Sequence, residues 1–122
     1  MSSPPPGLPP GPLEIPLSTD LRRAYHDLYD SIEAAIESSK DAAVLEALNA
    51  RQADVDDVLT KDDMYRLHAN TDLFNALCQQ IKDTNEGLEQ LQKQISSIAA
   101  GFNEAGQVLA AINKVLSLIP GI

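Results

Sequence analysis

From Phe74 to Ile119 one set of residues returns at alternating steps of three and four: Phe74, Leu77, Ile81, Thr84, Leu88, Leu91, Ile95, Ile98, Phe102, Ala105, Leu109, Ile112, Leu116 and Ile119. All but Thr84 are apolar. A 3.5-residue period held for about six heptads makes a narrow seam on a slightly underwound helix, and such a seam is stable only when another helix covers it. No other feature of the chain restricts its fold so strongly. It predicts one long helix from about Thr71 to Leu118, stopped by Pro120 and Gly121.

Upstream, the patterning divides at two places. The segment 1–17, MSSPPPGLPPGPLEIPL, holds seven of the eight prolines. Proline fixes its own φ and donates no amide hydrogen bond, so this stretch reads as a disordered Pro-rich tail in front of a helical domain at 18–122. Within it Pro6-Gly7-Leu8-Pro9 spells PxxP, a ligand pattern for aromatic grooves, but no lysine or arginine flanks it. Ser18, Thr19 and Asp20 then supply N-cap chemistry, with Leu17 placed to pack back on the first turn. Leu21, Tyr25, Leu28, Ile32 and Ile36 line one face of a first helix at about Thr19–Ser38. Ser38, Ser39, Lys40 and Asp41 form a row of capping residues. A second stripe of Val44, Leu45, Leu48, Val55, Val58, Leu59 and Tyr65, interrupted at Gln52 and Asp62, predicts a second helix from about Asp41 to Leu67.

The fold class is therefore all-α: an elongated antiparallel three-helix bundle, or, if 38–41 does not interrupt the chain, a long helical hairpin turning at 69–72. The slip of stripe phase between Ile36 and Val44 favours the break. In the hairpin the two helices match in length, whereas in the bundle the heptad helix overhangs its neighbours. Its second half is poor in charge and rich in small residues such as Ala99, Ala100, Gly101, Gly106 and Ala110, which admit another helix closely and leave a weak point near Gly101.

Charge and motif content narrow the function classes. Eighteen acidic residues against nine basic give a net charge of −9, which repels phosphate backbones and argues against nucleic-acid binding. The single cysteine, Cys78, cannot form an internal disulfide and suits a reducing compartment. No basic-then-apolar leader and no apolar run of membrane-spanning length is found, so the expectation is a cytoplasmic protein, with signal-free secretion left open.

Chemistry is sparse. His26, Asp30, Glu33 and Glu37 share one helix face but lack the Glu-x-x-His pair of carboxylate-bridged metal bundles. Asp54, Asp56, Asp57, Asp62 and Asp63 lack the sixth-position glycine and the closing glutamate of a calcium loop. His68 has no ligand partner at metal spacing. No phosphate-binding glycine loop or nucleophile elbow occurs. The expectation is a non-enzyme without cofactor or metal.

Tyr29 and Glu33 form a YxxxE pattern that resembles part of the export signal of the small, acidic, hairpin-forming WXG-type secreted proteins of Gram-positive bacteria. That family also carries a tryptophan-x-glycine turn, absent here, and places its tyrosine motif after the second helix, so the chain is not assigned to it.

What remains is a protein–protein interaction or assembly module. Its expected interface is Ile95, Ile98, Phe102, Leu109, Ile112, Leu116 and Ile119, buried against a second copy or another helical protein. Two alternatives stand beside it. In one, the charge-poor segment from Gln94 to Ile122 enters lipid in a toxin-like way, against which Asn103, Glu104, Gln107, Asn113 and Lys114 argue. In the other, the acidic second helix is an adaptor for a basic partner.

Overall fold

Helix limits follow from where side chains can take up the free amides of a first turn. The computed structural model describes residues 17–97 and 104–118 and is all-helical there, with no strand among the described residues. The Pro-rich segment 1–16, with its PxxP, and the seam positions Ile98, Phe102 and Ile119 lie outside the described residues. Helix α1 spans Thr19–Ser38, and the Ser18 hydroxyl accepts from the Leu21 amide at 3.1 Å. Helix α2 spans Ala42–His68, and Asp41 Oδ1 accepts from the amides of Ala43 and Val44. The row of capping residues at 38–41 is thus a real break, which removes the single-hairpin alternative. Ala69 closes α2 in the left-handed conformation, φ 48° and ψ 42°, and Asn70 Oδ1 caps α3, Thr71–Ser97, through the Leu73 amide at 2.9 Å.

Each helix packs on the one before it, and the fourth, α4 at Ala105–Ser117, closes against α1. The core is drawn from all four helices: Tyr25, Leu28 and Ile32 from α1, Leu48, Val55 and Val58 from α2, Leu77, Ile81 and Leu88 from α3, and Val108, Ile112 and Val115 from α4 are fully buried. Burying each such side chain stabilises the fold by roughly 1.5–3 kcal/mol. On α3 every seam position from Phe74 through Ile95 is buried, Thr84 included.

The expected helix from Thr71 to Leu118 is two helices, and the bundle has four members where three were expected. The reason lies in matched lengths. Arg51 of α2 sits over Gly87 of α3. From Gly87 it is ten residues on to Ser97, and from Arg51 nine back to Ala42, so the described part of α3 already reaches the level at which α2 starts. A helix continuing past that level has no neighbour to cover its seam, whereas turned back it buries Val108, Ile112 and Val115 completely. Gly101 itself lies outside the described residues.

Candidate functional site

Of the seven predicted interface residues, four are described. Ile95 is buried on α3 and Ile112 on α4, both inside the chain's own core, while Leu109 and Leu116 are half-buried against it. The face that α4 turns inward is centred on Val108, Ile112 and Val115. Reading the seam alone misses Val108 and Val115, although steps of four and three through Ile112 mark them as one helical face. Leu109 instead lines a shallow groove of about 610 Å³ between α3 and α4, together with Gln92, Lys93, Ser96 and Asn113. Gln92 Nε2 donates to Asn113 Oδ1 across this groove.

The start of α4 differs from the other three. Glu104 occupies its N-cap position with no side-chain hydrogen bond to the first turn, and its carboxylate instead accepts from the Ser38 hydroxyl at the end of α1. Three helix starts are therefore marked by a side-chain cap, whereas at the fourth the residue in the N-cap position turns its carboxylate to α1.

At the opposite end of the bundle lies a buried ionic cluster. Asp62, which interrupts the α2 stripe in sequence, is fully buried. Its Oδ1 accepts from the Leu17 amide at 2.7 Å, and its Oδ2 from Arg22 Nη1 at 2.5 Å and Arg66 Nε at 2.7 Å. Arg66 Nη2 also donates to the Leu17 carbonyl, and Arg22 Nη2 pairs with Asp63 at 2.7 Å. Leu17, at the foot of the Pro-rich segment, is thus held by both its backbone groups. The sequence signal was available: an aspartate at an inward position with arginine four residues on.

Further polar groups cross the core. The Tyr25 hydroxyl donates to Asn85 Oδ1 at 3.2 Å, and burial pushes its pKa well above the ordinary tyrosine value. Thr84 donates to the Asp54 carbonyl at 3.4 Å and accepts from Gln80. Arg51 Nε lies 3.0 Å from Asp54 Oδ2, but its N–H is not aimed at that oxygen, so this buried N–H forms an ion pair and no hydrogen bond. Burial raises the Asp54 pKa despite the attraction of Arg51, and Asp57 and Asp83 add to the rise. Cys78, half-buried on α3, is also pushed up by burial.

The remaining candidates are spread on the surface. His26, Asp30, Glu33, Glu37 and His68 are exposed, and Glu33 accepts from Gln52 at 2.5 Å. Among the described residues no group of three such side chains converges on a metal position, and no helix is long and apolar enough to cross a membrane. The acidic run divides: Asp62 is buried and Asp54 half-buried, leaving Asp56, Asp57 and Asp63 exposed. The chain matches no protein-family model, and comparisons with curated proteins and with solved structures find no significant similarity.

Proposed function

We propose that this chain is a non-enzymatic interaction module that assembles through its heptad helix, with a second copy or another helical protein as partner. The observation that carries the reading is the contrast between a sequence seam that stays in phase from Phe74 to Ile119 and a helix, α4, that begins inside it with no cap bond from Glu104. A sequence that keeps its 3.5-residue period across a break is compatible with two arrangements: α4 folded back on its own α1, or α3 and α4 running on together with their seam against a partner. Leu109, which lines the α3–α4 groove, and Leu116 are only half-buried and are the seam leucines of α4 least committed to the closed form. A lone, half-buried Cys78 suits a reducing compartment such as the cytoplasm.

Sedimentation of the intact chain over a range of concentrations tests this. The expected result is a mass above that of one chain, which Ile98→Asp with Leu109→Asp returns to the single-chain value while 19–97 stays helical. A single-chain mass at every concentration, with no helical partner recovered, would sink the proposal, as would an assembly untouched by the two substitutions.

A further inference from the structure

The outer face of α2 carries a second pattern that the core does not use. Ala50, Ala53, Asp57, Thr60, Met64 and Leu67 follow one another at alternating steps of three and four, and all are exposed. Met64, at 41% exposure, and Leu67, at 76%, are the large apolar side chains left in water among the described residues. Above them the row narrows to Thr60, Asp57, Ala53 and Ala50, short side chains that let another helix approach closely. Asp56 and Asp63, seven residues apart, flank the row on one side, where a partner in heptad register would present one residue per turn pair.

Charge on α2 is sorted by direction. Its three basic side chains are all engaged within the bundle: Arg51 with Asp54, Lys61 with Gln80, and Arg66 with Asp62 and the Leu17 carbonyl. Among the described residues the outer-face acids form no ion pair within their own helix; Asp63 pairs with Arg22 of α1, and its side chain remains 58% exposed. The exposed face of α1 is acidic too, at Asp27, Asp30, Glu33 and Glu37, but holds no exposed large apolar residue.

We infer that the outer face of α2 docks a basic amphipathic helix, whose apolar seam packs on Met64, Leu67 and the alanines and whose lysines or arginines lie against Asp56, Asp57 and Asp63. Charge complementarity selects this occupant: a net charge of −9 disfavours a second copy of the same acidic face. The surface is rigid before binding, because the Asp62 cluster fixes the last turns of α2 and Arg51 over Gly87 fixes its middle, so little ordering is needed. It is separate from the α3–α4 seam, and its occupancy does not depend on self-association there.

The probe is a synthetic helical peptide of about three heptads with leucine at the seam and lysine at the flanks, titrated into the isotopically labelled full chain and followed by amide shifts. The expected shifts run along α2 from Ala50 to Leu67. Met64→Ser with Leu67→Ser, both outside the core, weakens binding about tenfold or more while the far-UV circular dichroism stays close to the parent's, serine being only a slightly poorer helix former. Asp56→Asn with Asp57→Asn flattens the salt dependence. Asp27→Asn with Asp30→Asn, on the acidic face of α1, leaves affinity unchanged. The inference is overturned if the serine pair binds as well as the parent, if the α1 pair weakens binding as much as the α2 pair, or if the shifts fall on the α3–α4 groove.

Discussion

The two ends of this bundle are secured by different means. At the Asp62 end, a buried carboxylate takes three hydrogen bonds from α1, α2 and the strand of chain entering α1, and the adjoining turn is written residue by residue in Ala69 and Asn70. At the α3–α4 end the described residues show a Glu104 that caps nothing in its own helix, a Ser38–Glu104 contact and a groove open beside Leu109. One end is held by specific polar geometry and the other by apolar burial on a 13-residue helix. Isolated helices of about that length are marginal in water, so α4 depends on its packing to exist.

The largest expected effect is at Asp62. Asp62→Ala takes the acceptor from the buried Leu17 amide and the central partner from two part-exposed arginines, which keep Asp63 and the Leu17 carbonyl, and should cost about 3 kcal/mol in a urea denaturation. A loss under about 1 kcal/mol would mean the cluster contributes little beyond its solvated alternative. Ile112→Ala comes next, at about 2–4 kcal/mol locally. Its loss should fall on α4, with α4 amide signals weakening while those of α1, α2 and α3 persist; uniform loss across all four helices would erase the contrast between the ends.

Ala69→Gly gives the smallest effect and the opposite sign. Ala69 is held at φ 48°, where an L side chain costs about 1–2 kcal/mol and glycine nothing. After the entropy that glycine loses, a gain of about 1 kcal/mol should remain, read as a rise of roughly 4–8 °C in Tm. An unchanged or lowered Tm would show that the left-handed cap carries no strain.

Most of the skeleton could be read from the chain because local chemistry and periodicity agree there. Ser18, Asp41 and Asn70 are short acceptors at positions where a stripe begins, so α1 and α2 fall within a residue or so of their expected limits and α3 starts where it should. The seam of α3 is buried at each position from Phe74 to Ile95. The division of the seam into α3 and α4 was legible only as a weak point near Gly101; that α4 packs back on α1 is a property of the assembled bundle. Asp62 was misleading for a related reason. A charge inside an apolar stripe reads as an interruption until arginines from two helices and a backbone amide are brought to it. The candidate interface was readable as a pattern, but whether a seam residue faces its own chain or another is decided by tertiary packing, which puts Ile112 inside and leaves Leu109 on the groove.

The central claim is that α4 is held on looser terms than the rest, as the proposed assembly through its seam requires. Native-state hydrogen exchange resolved along the chain tests it most directly. If the claim is right, amides of Ala105–Ser117 open in a separate event of lower free energy, while those in the cores of α1, α2 and α3 exchange only with global unfolding. A single opening free energy shared by all four helices would contradict it and leave α4 as fixed as the helices it covers.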